Sequence, residues 1–166
     1  MTDQLNPISN HELTMTLLMT PDKANFSGNV HGGQMLKMLD EVAYACASRY
    51  SGRYVVTVSV DNVLFKQPIH VGELVTFLSS INYTGRTSME VGIKVVTENP
   101  MQGTCRHAMT CYFTMVAVDD DRAPVPVRKL QPATALARQR FKAAELRRTL
   151  RRDTEQAHAR IRADVK

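Results

Sequence analysis

The segment Asn25–Asp40 places two adjacent glycines and a carboxylate close together. Gly32 and Gly33 directly precede an apolar run that starts at Met35, so they are predicted to lie in the first turn of a helix. Backbone N–H groups there lack helical partners. Such N–H groups can stabilise an oxyanion. Asp40 follows Gly33 by seven residues, about two helical turns, on the same face. This pattern predicts chemistry in which negative charge develops on oxygen and a carboxylate acts as base or nucleophile.

Three separated segments carry a resemblance to a known family. The first is Asn25–Asp40, which contains a Gly-Asn-Val-His-Gly-Gly turn; the second is Asp61–Val75, and the third is Tyr83–Glu90. Their order along the chain resembles that of the acyl-CoA thioesterases of hotdog fold, in the subfamily with an Asn, this turn and an acidic residue. The resemblance covers roughly residues 12–128.

The resemblance implies that the chain hydrolyses acyl-CoA to a free fatty acid and coenzyme A without a metal ion. A backbone N–H of Gly32 or Gly33 would receive the oxyanion, and Asp40 would act as general base or nucleophile. Asn25 would come from the partner chain and orient water or substrate, while His31 would orient the loop or the carbonyl. A homodimer would hold two complete sites, and the family implies a hexamer built as a trimer of dimers. Coenzyme A is part of the substrate and product, so no separate cofactor is expected.

Each of these residues also has a purely structural interpretation. An Asn near Gly and Ser is often a turn residue, and a His in a Gly-rich turn is more often structural than catalytic. A mid-helix carboxylate can simply face solvent, and Glu41 fits that role better than Asp40 because Glu41 falls centrally on the polar stripe of the helix. A hotdog hydratase or dehydratase stays open as well, since it would need an acid–base pair centred on a histidine such as His31.

The carrier coenzyme A bears phosphates, which favour a loop with cations and donors. Arg86, Thr87 and Ser88 supply a guanidinium, two hydroxyls and free amides, which suit a phosphate cradle. The same residues also suit any solvated hairpin, but they match the carrier-binding loop of the family. By the same resemblance, Val58 and Ser59 are predicted to contact the pantetheine through backbone groups.

The elements that must position these residues follow from periodicity. The helix from about Gly33 to Tyr50 is apolar over most of its surface, which indicates burial. Four strands with a two-residue period follow between residues 54 and 118, and an earlier strand is expected near Leu13–Met19. In the first of the four, Val56, Val58, Val60 and Leu64 share one parity and are predicted to lie on one face. The economical pairing is an antiparallel meander. A curved sheet that wraps one buried helix is an α+β fold, in agreement with the hotdog resemblance.

Composition excludes several other classes of protein. The chain has 166 residues with 43% hydrophobic content, which fits one globular core. Cys46, Cys105 and Cys111 are an odd number without CxxC spacing, so neither a disulfide framework nor a zinc site is expected, and small core hydrophobes are the simpler interpretation. The scattered histidines lack a His-Glu-x-x-His pattern, and no Gly-x-Ser-x-Gly elbow occurs. Without a signal peptide or membrane span, a cytoplasmic protein is expected.

The positive charge lies almost entirely at the C-terminal end. Residues 1–127 contain 9 Lys and Arg against 12 Asp and Glu, whereas residues 128–166 contain 12 against 4. We therefore divide the chain into a hotdog hydrolase domain, 1–128, and a basic C-terminal extension, 129–166, helical from Pro132 to about Arg162. This helix could present a solvated face, contact an anion or nucleotide effector on an assembled particle, or bind nucleic acid. Nothing resembling an RNA-binding motif supports the last, so a non-catalytic nucleotide- or RNA-associated module is only an alternative.

Overall fold

A computed structural model describes residues 11–163. The described chain contains five strands, two α-helices and one short 3-10 turn, Pro21–Lys23. In chain order, the strands and helices are β1 (Glu12–Leu18), α1 (Gly32–Ser51), β2 (Tyr54–Val60), β3 (Leu74–Thr84), β4 (Ser88–Asn99), β5 (Thr104–Val118) and α2 (Ala135–Ala163). All seven elements were predicted, and their boundaries lie within a few residues of the predicted ones.

The five strands form one antiparallel sheet in the order β1-β3-β4-β5-β2. The meander is confirmed for β3, β4 and β5 but is wrong for β2, which pairs with β5 and forms the edge opposite β1. The connection 61–73 explains why β2 does not pair with β3. It is far longer than the two to five residues of a typical hairpin loop, so it does not force these two strands to be neighbours.

Helix α1 is the buried centre of this arrangement, as predicted. It contacts all five strands. Its buried side chains are Met35, Met38, Leu39, Val42, Ala43, Cys46, Ala47 and Tyr50. The helix ends at Gly52, which has a φ of 65° and donates its N–H to Ser48 O. This left-handed cap favours glycine because a side chain would be strained there. Burial of so many apolar groups against the sheet supplies the main stabilisation of the helix.

The predicted parity is correct in the centre of the sheet and uninformative at its edge. The inward residues of β4 and β5 are fully buried: Met89, Val91, Ile93, Val95, Met109, Cys111, Phe113 and Met115. In β2, by contrast, Val55 is buried, whereas Val58 is 61% exposed and Val60 is 45% exposed. The register shifts between Thr57 and Ser59, which makes Val58 the extra residue of a bulge. Val56 pairs with the outward residue Val116, whereas Val60, after the bulge, pairs with the inward residue Phe113. Leu64 lies beyond the end of β2 and is 60% exposed, so the predicted shared face of these residues is wrong.

The chain separates into two compact units that divide after Lys129. The second unit contains α2, which is preceded by Thr134; the hydroxyl of Thr134 accepts the N–H of Ala137. That bond is a typical side-chain cap for the first turn of a helix. Neither helix among residues 11–163 is long and apolar enough to cross a membrane. A separate role for 129–166 stays a prediction.

Candidate functional site

Asn25 forms the centre of a tight turn before α1. Its side-chain oxygen accepts the backbone N–H groups of Ser27 at 2.9 Å and Asn29 at 3.1 Å. Its own N–H donates to Asn29 O at 2.6 Å, and Gly28 adopts the positive φ of 77° that the turn requires. Two N–H donors contact this oxygen, so the orientation of the Asn25 carboxamide is fixed. Its NH₂ group has no hydrogen-bond partner among residues 11–163. This NH₂ group can donate to a substrate or a water molecule.

The first turn of α1 is capped by His31. Its Nδ1 accepts the N–H of Gly33 at 2.9 Å, so this nitrogen carries no proton. We expected the backbone N–H groups of both glycines to have no hydrogen-bond partner. This expectation is wrong for Gly33, because the imidazole of His31 accepts its N–H. The N–H of Gly32 has no partner within the described part of the chain. Gly32 is consequently the better placed of the two amides to receive an oxyanion.

Asp40 meets a residue that the sequence analysis did not single out. Its Oδ1 accepts the hydroxyl of Thr57 on β2 at 2.6 Å, a short charge-assisted hydrogen bond. Thr57 also lies 3.5 Å from the sulfur of Met115. The contact between Asp40 and Thr57 was not predicted, because helix and strand come together only in the folded chain. The one sign of it in the sequence was a hydroxyl at position 57, which shares the parity of buried Val55. Glu41 instead forms an i,i+4 ion pair with Lys37, with 3.9 Å between the charged atoms.

The turn and the carboxylate lie at different levels of α1. Gly32 and Asp40 are eight residues apart, which corresponds to ~12 Å along the helix axis. Asn25 lies near Gly32, at the N-terminal end of the helix, because both residues line one cleft of about 320 Å³. Apolar side chains that line the same cleft are Val30, Met35, Phe65 and Ile69. The structure thus brings Asn25 and Gly32 together, and it brings Asp40 and Thr57 together, as two separate groups.

The predicted carrier loop is the hairpin between β3 and β4. Gly85 N–H donates to Ser88 O at 2.8 Å, and a side chain at Gly85 would lie only 2.7 Å from the Ser88 hydroxyl. The backbone is tied to the following segment, because Arg86 O and Thr87 O accept N–H groups of Val127 and Ala117. The Arg86 side chain is exposed. A fixed backbone that carries an exposed guanidinium suits a phosphate contact.

The carrier loop lies at the same end of the sheet as the start of β2. Ser88 pairs with Val116, and Val116 pairs with Val56, so the hairpin and β2 are two strands apart, or ~10 Å. Val58 and Ser59 follow directly after Thr57, and the bulge turns Val58 outward. Val58 and Ser59 therefore lie beside Thr57, the residue that contacts Asp40, and the hairpin lies two strands away from β2.

The cysteines do not contribute a nucleophile to this region. Burial raises the pKa of Cys46 to about 11 and the pKa of Cys111 to about 12. Since the thiolate is the reactive form, both thiols are inert near neutral pH. Cys105 is free and exposed at the start of β5, so its interpretation as a core residue is wrong. Among residues 11–163 there is no cluster of three or more His, Cys, Asp or Glu side chains arranged to hold a metal ion.

Comparison with known proteins identifies several relatives. A family model described as the thioesterase superfamily matches residues 27–104. Protein VdlD of Helicobacter pylori is 48% identical over 140 residues, which are 84% of this chain and 80% of that protein. YkhA of Bacillus subtilis, an uncharacterized acyl-CoA thioester hydrolase, is 34% identical over 123 residues, 74% of this chain and 72% of that protein.

Solved structures show the same architecture. An acyl-CoA hydrolase from Bacillus cereus superposes with a TM-score of 0.84 and is 34% identical, covering 95% of each chain. An acyl-CoA thioesterase solved as an apo hexamer also has a TM-score of 0.84; it is 33% identical and covers 87% of this chain and 92% of that chain. The similarity thus extends over the helix and the whole sheet.

Proposed function

The chain belongs to the acyl-CoA thioester hydrolase family of hotdog fold, and we propose that it hydrolyses acyl-CoA to a free fatty acid and coenzyme A. The observation that carries the proposal is the Asp40 carboxylate, which is exposed and held by Thr57 at 2.6 Å. A mid-helix carboxylate that is exposed but fixed in one orientation suits a base or nucleophile better than a solvated surface group. Glu41, its neighbour, is paired with Lys37 and has no such fixation.

The geometry of α1 supports a site shared between two chains. An oxyanion donor and a nucleophile each lie about 3 Å from the reacting group. A base that acts through one water molecule adds about 3 Å, so roughly 9 Å is the largest separation that one site allows. The backbone positions of Gly32 and Asp40 of one chain are ~12 Å apart along the helix, and the Asp40 side chain tilts toward Gly32, so one chain places the two groups at about this limit. Because Gly32 lines one cleft with Asn25, we assign its amide, together with Asn25, to the partner's contribution to the site that holds Asp40.

The reaction forms a C–O bond at the thioester carbonyl and breaks the C–S bond. With Asp40 as base, the carboxylate takes a proton from the attacking water, and this proton passes to the departing thiolate. With Asp40 as nucleophile, its oxygen attacks the carbonyl, and water hydrolyses the resulting anhydride. In both cases the Gly32 N–H stabilises the oxyanion, and the free NH₂ of Asn25 orients the water or the substrate. His31 holds the first turn of the helix in place through Nδ1, and no proton transfer is assigned to it.

Self-association follows from the shared site, and the surface of the chain supports it. Edge strand β2 exposes Val58 and Val60, and the adjacent helix exposes Leu36 and Tyr44 at 40% each. Apolar side chains on an exposed strand edge favour pairing with another chain. We propose a homodimer and, because a relative is solved as a hexamer, a trimer of dimers. Light scattering of the purified protein gives the assembly size directly.

Carrier binding is assigned to Arg86, Thr87 and Ser88, with backbone contacts from Val58 and Ser59. The support is the exposed guanidinium on a tied hairpin and the position of that hairpin beside β2. A cytoplasmic location is part of the proposal, because the three free thiols, of which Cys105 is exposed, fit a reducing compartment. The nucleotide effector stays a prediction that none of these contacts tests.

The test is release of free thiol from short, medium and long acyl-CoAs by the purified protein. Hydration of an enoyl-CoA and a salt-dependent mobility shift with nucleic acid are measured in parallel. Thiol release that is abolished in Asp40→Asn supports the proposal. Enoyl-CoA hydration without thiol release would assign the protein to the hydratases instead, and nucleic-acid binding with neither activity would favour the module that uses the basic helix.

A further inference from the structure

Asn29 lies between the catalytic turn and a second group of polar contacts. Its backbone N–H donates to the Asn25 side chain at 3.1 Å, and its backbone O accepts from Asn25 N at 2.6 Å. Its side-chain oxygen lies 2.8 Å from Nδ1 of His70. Asn29 and His70 also form an antiparallel bridge. One residue therefore connects Asn25 directly to the segment that precedes β3.

His70 is in turn attached to an ion pair whose carboxylate, that of Glu73, is buried. Its backbone N–H donates to Glu73 Oε2 at 3.0 Å. The Glu73 side chain is 5% exposed, and both of its oxygens accept from Nη2 of Arg106, at 2.9 and 2.8 Å. Arg106 is on β5, so it links this segment to the sheet. These donors hold the buried carboxylate of Glu73 firmly, because loss of Arg106 would leave its charge uncompensated.

These contacts form a continuous route from the sheet to Asn25, and we call Asn29, His70, Glu73 and Arg106 the His70 brace. Arg106 also donates to Gln67 at 3.1 Å, and Gln67 lines the same cleft as Asn25 and Gly32. The brace thus supports both the turn and the wall that faces it. No member of the brace is part of the proposed chemistry.

We propose that Asn29 and His70 are positioning residues that hold the Asn25 turn in its reactive orientation, with Glu73 and Arg106 as their anchor. The proposal rests on the proposed thioesterase function. The reasoning is geometric: the Asn25 oxygen is fixed by the backbone of residues 27 and 29, so its NH₂ group points correctly only if residue 29 is fixed. The other backbone bonds of this segment include His31 N–H to Lys23 O at 2.8 Å, at the base of the turn, whereas Ser27 and Gly28 at its tip are exposed. Small misplacements of a positioning group cost activity and leave substrate binding largely intact.

The experiment compares kcat and KM for acyl-CoA in the wild type, Asn29→Ala, Asn25→Ala and the double variant. Asn29→Ala should lower kcat about tenfold with KM within about twofold. In the Asn25→Ala background the same change should cost nothing further, because the group it positions is gone. The rates of the two Asn25→Ala proteins are measured at high enzyme concentration in single turnovers, so that they stay above background.

His70 provides the rescue and a second route if Asn29→Ala does not fold. His70→Phe keeps a planar ring but removes the donor to Asn29 and should reproduce the loss in kcat. His70→Gln restores an N–H donor and should recover most of it. The matched control is Asn99→Ala, because Asn99 also accepts two backbone N–H groups, of Met101 and Gln102. Asn99 lines one cleft with His70, Glu73 and Arg106 but forms no side-chain hydrogen bond to them among the described residues. This control should leave kcat unchanged.

Two results overturn the proposal: kcat of both Asn29→Ala and His70→Phe within twofold of the wild type, or equal loss of kcat in the presence and absence of Asn25. A wild type without thioesterase activity would instead refute the proposed function itself. The melting temperature of each variant is measured alongside. A loss of kcat that follows the melting temperature across the variants, including Asn99→Ala, would mean that the brace only stabilises the fold.

Discussion

The two ends of the reactive part of α1 are built in different ways. At the N-terminal end, the turn is held mainly by local bonds: Asn25 accepts two nearby N–H groups and His31 caps the helix. Two turns further along, the Asp40 side chain is hydrogen-bonded to Thr57, which is 17 residues away on another element. The first region is a backbone structure that presents donors, and the second is a single charge held by a tertiary contact.

This difference determines how each region should respond to substitution. Changes in the turn alter both chemistry and local conformation, because the same side chain serves as support and as donor. Changes at Asp40 remove a charge from the exposed side of a helix whose buried side chains stay packed against the sheet. Asp40 is therefore the cleaner test of chemistry, and Asn25 is the cleaner test of how two chains share a site.

The largest effect is expected at Asp40. Asp40→Asn should lower kcat by about two or more orders of magnitude, because the amide can neither accept a proton nor attack the thioester. Circular dichroism and melting should match the wild type. Glu41→Gln is the control, since it alters a neighbouring exposed carboxylate, and its kcat should be nearly unchanged. Retention of more than a third of wild-type kcat in Asp40→Asn would end the assignment.

Mixing subunits tests directly whether the two regions, taken from different chains, form one site. Asn25→Ala and Asp40→Asn homomers should both be nearly inactive. Half of the dimers formed by joint unfolding and refolding are mixed and have one intact site out of two, so about a quarter of wild-type activity should return. Mixing is verified by mass, with each parent refolded alone as the control. Verified mixed dimers without activity would show that each site lies within one chain.

Arg86 lies outside both regions and should affect binding only. Arg86→Ala removes a charge-assisted contact of about 1.5 to 3 kcal/mol, so KM for acyl-CoA should rise roughly 10- to 150-fold with kcat little changed. An acyl-pantetheine substrate, which lacks the nucleotide, should hardly respond. The measurement is kcat/KM for both substrates on both proteins. Equal losses on the two substrates would mean that Arg86 shapes the hairpin and does not bind phosphate.

Substitutions of Thr57 test the tertiary hydrogen bond to Asp40. Thr57→Val keeps the size of the side chain but removes the hydroxyl, so kcat should fall roughly tenfold, at the lower end of the energy of a hydrogen bond to a charged group. Thr57→Ser keeps the hydroxyl and should retain most activity. Equal losses in the two variants would indicate that packing by the Thr57 methyl group, and not the hydrogen bond to Asp40, is what matters.

The smallest effects are expected from the buried thiols, which belong to neither region. Burial raises the pKa values of Cys46 and Cys111 from 9.0 to about 11 and about 12. The folded state therefore holds these protons more tightly, so the stability they contribute is present below pH 9 and is lost as pH rises through about 11 to 12. The melting temperature should decline less steeply above pH 9 in Cys46→Ala combined with Cys111→Ala than in the wild type. A parallel decline in both proteins would exclude this role.

Much of the fold was predictable because it depends on local patterns. The apolar surface of α1, the two-residue period of the central strands and the turn residues between them identified these elements, whereas the 3-10 turn Pro21–Lys23 was not predicted. Asn25, the paired glycines and Asp40 were recognisable because they occupy one short segment. The His31 cap on Gly33 was not predicted, since the choice between an open and a capped amide depends on the rotamer of one ring.

What only the tertiary structure decided is which distant residues meet. The long connection 61–73 lets β2 cross to the far edge of the sheet, and this position brings Thr57 to Asp40 and turns Val58 outward. Strand pairing depends on the whole chain, so no local pattern could reveal it. The sequence by itself determined the chemical groups and the elements that carry them. The packing of helix on sheet determined that Asp40 is oriented by Thr57 and that the Asn25 turn lies a further two helical turns away.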